Sequence, residues 1–457
     1  MTAPTPPHAG ARRLTATPDV ALQPTPIRIV AEGFEPGQRV WLSSRLVDDA
    51  AVHWTARALF VADAAGRIDL DDAPSEEGSF TGVDAAGLFW SLRPEPVADR
   101  RFMLNATEKA HKLGQPHVAP MKAHVFALQA RVDGEDAPCA ETTVTLQRLV
   151  DGIEVLPLRD GRLRGQVLRW KERRLPDGRP RGCIFTFTGS GGGLELGYAP
   201  VLASLGYDVV SLAYFAYEDL PGFIAGIPLE YFEEGFSWAR RELGCERIGI
   251  QGASRGGELV VTLASHLPEH IQGVVGIVPM YTTSIGWDPA KGMGGPSFTF
   301  RGQPVPHAKP GDSPSFEEMK RLGESLPNGY PATPGYFATM NDPETRATAA
   351  LPIERARCPV LLISGVDDQM WPSAWGSDLI VNRLRAQGYG HPFQHLCLQD
   401  TGHITPLPNT VTSFCPALLH SLLGIFLACG GTPAGTARES RRTWDALCTH
   451  YRTVFGH

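Results

Sequence analysis

The chain has 457 residues, long for one hydrophobic core, so two domains are expected. Hydrophobic residues make up 42% and charged residues 20%, as in an ordinary globular protein, and a formal net charge of −7 without any Lys/Arg block argues against a nucleic-acid partner. Eight cysteines with no C-x-x-C pair indicate neither a zinc site nor a disulfide framework, and fit reduced thiols in a cytoplasm.

Residues 1–15 are rich in Pro, Ala and Thr, lack the apolar core of a signal peptide, and read as a flexible tail. Residues 16–150 carry short β-type runs between turn signals. Strands are predicted at Ile27–Phe34, Arg39–Leu46, His53–Val61, Gly87–Leu92, His124–Val132 and Glu141–Leu149. Val40/Leu42 and Val125/Ala127 alternate with polar neighbours, the pattern of half-buried strands. This spacing predicts a small β-sandwich, immunoglobulin-like in architecture only, since Cys139 is the sole cysteine of the region.

Residues 151–457 change rhythm. Apolar runs at Cys183–Phe187, Tyr207–Leu212, Arg247–Gln251, Val274–Val278, Val360–Ser364 and His395–Leu398 read as strands buried on both faces. Helical stretches lie between them, including Leu229–Leu243, Ser254–Leu267 and Ala374–Ala386. The fold class is therefore α/β, with a mostly parallel sheet following a smaller β-sandwich domain. Residues 281–350, rich in Gly, Pro, Lys and Phe, interrupt the alternation and read as a cap-like insertion, a lid or pocket wall. The most apolar stretch, Ala417–Cys429, is too short to span a bilayer and reads as a buried helix. A soluble, cytoplasmic protein with no membrane span is expected.

The chemistry centres on Gly252-Ala253-Ser254-Arg255-Gly256-Gly257, which follows a predicted strand and opens a predicted helix. Such a strand–turn–helix elbow needs glycine where a Cβ would crowd its neighbours, and leaves the serine exposed near a helix N-terminus. A serine nucleophile needs a base, and the base an orienting carboxylate. On a hydrolase sheet these arrive in the order Ser, acid, His, each just past a strand end. Asp367 and Asp368 follow strand 360–364, and His403 follows strand 395–398. Asp368 is favoured as the acid, three residues after Gly365 and four before Pro372, with Asp367 capping the turn. An oxyanion hole needs two N–H donors. One is expected from the backbone of Arg255, the other from the glycine loop Thr188–Gly193, in particular Ser190 and Gly191. A phosphate-binding loop would need a following Gly-Lys-Ser/Thr, which is missing. This chemistry calls for no cofactor and no metal.

Longer runs carry a resemblance. Gly189–Leu196, Leu212–Pro221 with its Tyr-Glu-Asp-Leu-Pro, Ile248–Leu259, Leu351–Ala356, Gly365–Trp371, Thr401–Ile404 and, in the first domain, Gly87–Pro94 with its Gly-Leu-Phe-Trp-Ser-Leu all contribute. On these the chain resembles the acyl-CoA thioesterase / bile acid-CoA:amino acid N-acyltransferase family. The resemblance implies a β-sandwich fused to an α/β-hydrolase domain that acts on acyl-CoA or another acyl thioester. It also implies serine at the elbow for hydrolysis and cysteine for transfer, so Ser254 favours a thioesterase. Transfer to an amino acid, amine or alcohol, and an esterase or peptidase using the same triad, stay open. Tyr217-Glu218-Asp219 reads as a buried hydrogen-bonded turn, and Trp371 as packing beside Asp368.

Overall fold

The computed structural model describes residues 11–47, 53–95, 123–288, 292–309, 314–420 and 422–456. They fall into two compact units. One comprises residues 11–95, 123–148 and 408–413, the other residues 149–407 and 414–456.

The first unit is built from two sheets. Arg13–Thr17, Arg28–Glu32 and Arg67–Asp69 form one, and a larger sheet runs Val20–Leu22, Ala140–Gln147, His124–Val132, Arg39–Val47, His53–Val61, Glu77–Gly78. Its first strand begins at Arg13, inside the stretch read from sequence as a tail; residues 1–10 of that tail lie outside the described residues. Alternation holds on Arg39–Val47, where Val40, Leu42 and Leu46 are buried. On His124–Val132 the face is opposite to that expected: Phe126, Leu128, Ala130 and Val132 are buried, and Val125 is 53% exposed. Both parities of that strand are apolar at its start, and the bulkier Phe/Leu pair takes the core while Gln129 and Arg131 mark the outer face. Gly87–Leu92 is not a strand. Gly87–Trp90 is one helical turn, held by Asp84, whose carboxylate accepts from Ala86 N at 3.0 Å and Trp90 Nε1 at 2.8 Å. Residues 408–413 belong to this unit too: Asn409 Nδ2 donates to Gln23 O and Thr25 O, and Ser413 Oγ to Leu92 O.

The second unit holds an eight-stranded sheet. In chain order its strands are β1 Ile153–Asp160, β2 Leu163–Trp170, β3 Cys183–Phe187, β4 Asp208–Ala213, β5 Ile248–Ala253, β6 Gly273–Ile277, β7 Val360–Gly365 and β8 Phe393–Leu398. Their spatial order is β1-β2-β4-β3-β5-β6-β7-β8, with β1 and β2 antiparallel and every pair from β4 to β8 parallel. This is the α/β-hydrolase fold. Cys183–Phe187 is buried at every residue, Thr186 included, as expected of a strand covered on both faces.

Two helices pack where the site is built. Arg255–His266 follows β5, and the C-terminal helix Pro433–Phe455 covers β5 and β6. Tyr451 of the latter donates to Gln251 Oε1 at 2.8 Å, and a Cβ on Gly249 would lie 3.3 Å from the Tyr451 ring. Among the described residues no helix is long and apolar enough to cross a membrane.

The stretch Ala417–Cys429 is a hairpin, not a helix. Ala417–Leu419 pairs antiparallel with Phe426–Ala428, Gly424 takes φ +63°, and Gly424 N closes the turn on His420 O at 2.8 Å. A short apolar run does not distinguish buried strand from buried helix by periodicity, and the left-handed glycine decides it. Between β6 and β7, residues 281–350 carry the hairpin Ile285–Asp288/Gly292–Pro296 and the helices Phe316–Ser325, Thr333–Met340 and Pro343–Thr348. Phe298, Val305 and Met340 are buried in the main core, so this insertion is partly a core element.

Candidate active site

The elbow is set by backbone sterics. Ser254 has φ +58° and ψ −122°, a conformation that costs a non-glycine residue about 1–3 kcal/mol and persists only when its surroundings enforce it. They do so through Ser254 N, which donates to Ile277 O of β6 at 2.9 Å, and through the glycines. A Cβ on Gly256 would sit 2.6 Å from both Phe187 O and Thr188 O, and one on Gly252 would collide with the Gly256 carbonyl. Ser254 is half-buried. Arg255 is the first helical residue, so its N–H has no intrahelical acceptor.

The Arg255 side chain is buried and held by a polar cluster. Its guanidinium donates to Glu258 Oε2 at 3.0 Å, to Ile285 O at 3.3 Å and to Ser297 Oγ, and Ser284 N and Oγ donate to Glu258 Oε2 at 3.0 and 2.7 Å. Burial pushes the Glu258 carboxyl above the usual carboxylate range, while Arg255 and Ser284 pull it back. This cluster ties the first turn of the helix to the 284–297 segment. It was missed from sequence, although Arg255 and Glu258 stand at i, i+3 spacing, because the two serines come from far along the chain.

The glycine loop after β3 lies against the elbow. A Cβ on Gly189 would stand 3.1 Å from Ser254 Cβ and 3.5 Å from its Oγ. Gly192 and Gly193 have φ of +66° and +74°, and the loop is pinned by Tyr214 Oη donating to Thr188 O at 2.9 Å and Gly193 N to Phe215 O at 3.1 Å. Ser190 and Gly191 are half-buried, and Ser190 Oγ meets His420 Nε2 at 2.8 Å.

Asp368 and His403 come together. His403 Nδ1–H donates to the Asp368 carboxylate, with Nδ1 2.9 and 3.0 Å from its two oxygens, and both residues are buried. Asp368 also accepts from Met370 N at 3.0 Å, Trp371 N at 3.2 Å and Ser373 Oγ at 2.5 Å. Asp367 points elsewhere, accepting from Gly431 N at 2.8 Å and Gln369 Nε2 at 3.1 Å. His403 N donates to Cys429 O at 2.7 Å. Its Nε2 is buried with no hydrogen-bond partner among the described residues. A buried imidazole nitrogen left unpaired is costly, and here it leaves Nε2 able to accept a proton while Nδ1 is held by Asp368. No hydrogen bond joins Ser254 Oγ to His403 in this structure. Trp371 is buried, donates Nε1 to Val278 O at 3.0 Å, and sets its ring edge-on to His403 at 5.7 Å. Tyr217-Glu218-Asp219 is the expected hydrogen-bonded turn, closed by Leu220 N on Tyr217 O at 3.0 Å with Tyr217 buried, but Glu218 and Asp219 pair outward with Arg159 and Arg164, and Asp219 is 67% exposed.

A connected Ser–His–Asp relay elsewhere in the sheet was not read from sequence. Ser364 Oγ lies 2.6 Å from His395 Nε2, and His395 Nδ1 2.9 Å from Asp378 Oδ1. Ser364 is fully buried within β7.

Known proteins share this chain over both units. The model described as BAAT / acyl-CoA thioester hydrolase C terminal matches residues 227–456, and that described as acyl-CoA thioester hydrolase/BAAT N-terminal region matches residues 24–160. The chain belongs to the acyl-CoA thioester hydrolase/BAAT family. Among this family's members, human acyl-coenzyme A thioesterase 1 is 29% identical over 442 residues, covering 94% of each chain. Human acyl-coenzyme A thioesterase 2, mitochondrial, is 29% identical over 434 residues, covering 94% of this chain and 82% of its own. Among solved structures, the acylaminoacyl peptidase of Pyrococcus horikoshii aligns with a TM-score of 0.40 at 10% identity, over 93% of this chain and 59% of that one. At that distance it has no bearing on function.

Proposed function

We propose that this family member hydrolyses acyl-CoA or a related acyl thioester through a Ser254/His403/Asp368 triad. Ser254 Oγ attacks the thioester carbonyl while His403 Nε2 takes its proton, and Asp368 holds Nδ1–H and stabilises the imidazolium. The tetrahedral oxyanion is met by the N–H of Arg255 and by donors of the Ser190–Gly191 loop. The intermediate collapses, His403 returns the proton to the departing thiolate, and Ser254 is left acylated. Water, activated by His403, then releases the acid. The insertion between β6 and β7 supplies part of the wall of the acyl pocket, and the enzyme acts in the cytoplasm, where its unpaired thiols stay reduced.

The observation that supports this reading best is His403, with Nδ1 engaged by Asp368 and Nε2 buried and unpaired, in a chain that also carries a strained serine elbow at Ser254. The substrate class is taken from the family. Ser254→Ala should abolish thiol release from acyl-CoA while leaving the melting temperature within about 2 °C, since the change removes one half-buried hydroxyl. Thiol release at the wild-type rate would overturn the assignment. Product analysis with glycine or taurine present separates hydrolysis from transfer, because only transfer yields an amide.

A further inference from the structure

The hairpin Ala417–Ala428 reaches both ends of the proposed site. Its base runs into Cys429, whose carbonyl accepts from His403 N at 2.7 Å, and Gly431 N donates to Asp367 at 2.8 Å. Its turn presents His420, buried, against Ser190 of the glycine loop. Hydrogen bonds fix the tautomer of that ring. Leu422 N and Leu423 N both donate to His420 Nδ1, at 3.3 and 3.2 Å. Nδ1 therefore carries no proton, and the ring hydrogen of the neutral imidazole is on Nε2. Nε2–H donates to Ser190 Oγ at 2.8 Å. A serine hydroxyl that accepts from one side keeps its own proton for another acceptor.

We infer that His420 is a positioning residue that orients the Ser190 hydroxyl as an additional oxyanion donor, beside the backbone N–H groups. The inference rests on the thioesterase reading for its oxyanion, and on the Ser190–His420–Leu422/Leu423 chain for its geometry. Ser190 supplies the donor, and His420 sets its direction without touching substrate. The hairpin thereby links oxyanion loop and histidine loop through one element, so that the donor and the base keep a common frame. A staple with no chemical role would use the same contacts but would give the Ser190 proton no preferred acceptor.

A double-mutant cycle separates the two. Ser190→Ala, His420→Ala and the double variant are assayed with decanoyl-CoA, with p-nitrophenyl butyrate, and by the rate of Ser254 labelling with a fluorophosphonate, whose phosphoryl oxygen occupies an oxyanion hole. Each single change should lower kcat by roughly ten- to a hundredfold at near-constant KM, and the double variant should lose no more than Ser190→Ala alone. His420→Gln, whose amide N–H can still reach Ser190, should recover part of the loss, and it carries the cycle if His420→Ala does not fold. Ser190→Ala within about threefold of wild type, losses that multiply in the double variant, or losses confined to KM would overturn the inference. Turnover of the p-nitrophenyl ester without decanoyl-CoA would sink the thioester reading alone, because the cycle can still be run on the ester. A wild-type protein that is neither active nor labelled would sink both.

Discussion

Replacing Asp368 by asparagine tests the proposed triad at the point where geometry is most restrictive. The carboxylate accepts from Met370 N, Trp371 N and Ser373 Oγ as well as His403. In Asp368→Asn the amide oxygen is held by the two backbone donors at the Oδ1 position. The amide nitrogen must then take the Oδ2 position, facing His403 Nδ1 and Ser373 Oγ. It is a donor at the nearer position, and the oxygen at Oδ1, 3.0 Å from Nδ1, already accepts two backbone N–H bonds, so Nδ1 becomes the acceptor and the ring proton moves to Nε2. A protonated Nε2 cannot receive the serine proton. A tautomer error of this kind lowers kcat by roughly 10³–10⁴, about 4–5.4 kcal/mol of transition-state stabilisation. KM should stay within about twofold, because the interaction lost is made in the transition state. The neighbouring Asp367→Asn is the control: its carboxylate serves Gly431 N and Gln369 Nε2, and kcat should fall by less than about threefold. Steady-state thiol release from decanoyl-CoA reads both. A thousandfold loss in Asp367→Asn with Asp368→Asn near wild type would refute the reasoning.

Three further outcomes follow from the packing. Gly189→Ala places a Cβ 3.1 Å from Ser254 Cβ and 3.5 Å from its Oγ, so turnover should drop about tenfold or more with the melting temperature little changed; full activity would mean that substrate does not use this side of the serine. Burial lowers the pKa of His450 to about 4. Its folded pKa is depressed below the free value, so its contribution is full above about pH 6.5 and is lost as pH falls toward 4; urea titrations of His450→Gln should show an acid destabilisation smaller by on the order of 3 kcal/mol than wild type across that window. Ser364→Ala should cost about 1–3 kcal/mol by leaving His395 Nε2 unpaired, and leave kcat within about twofold.

Much of the fold is legible because its signals are local. The six strands from Cys183 to Leu398 are apolar runs bounded by polar turns, and all six occur within two residues of the expected bounds. The acid and histidine loops are legible because each follows such a strand. What escaped needs partners distant in sequence. The edge strand Ile153–Asp160 and its neighbour Leu163–Trp170 mix charged and apolar residues and are strands by virtue of pairing, the two with each other and Leu163–Trp170 with β4. The helix Pro433–Phe455 does carry end signals, with Thr432 accepting from Gly435 N, Pro433 in the first turn and Gly456 at φ +80°, but its buried face is interrupted by Thr443 and His450. The hairpin at Ala417–Ala428 is the most consequential miss, since its turn chemistry lies in the His420 ring rather than in a turn dipeptide. Ser190 stood among the expected oxyanion residues, but nothing near it in sequence pointed to His420, 230 residues away.

The Ser364–His395–Asp378 relay, set beside the proposed Ser254–His403–Asp368 triad, shows why such a constellation is not itself a site. By distance alone Ser364–His395–Asp378 is the better formed, since serine and imidazole are already in contact at 2.6 Å. Its serine, however, is sealed within the parallel sheet, its imidazole has both nitrogens engaged, and its aspartate is 67% exposed. Such an arrangement satisfies a buried hydroxyl and joins β7 to β8; it offers no atom to a substrate. Ser254, Asp368 and His403 invert each of these features. The serine stands past the carboxyl end of its strand, where ligands of open α/β sheets bind, on a backbone kept strained by close-packed glycines. The aspartate is buried and fully hydrogen-bonded, so its charge is held for the imidazole. The imidazole spends one nitrogen on that charge and keeps the other buried and free. His450 Nε2 is buried and unpaired as well, so an unmet hydrogen bond alone does not mark chemistry; what supports His403 as the proposed base is that its other nitrogen is held by a buried aspartate.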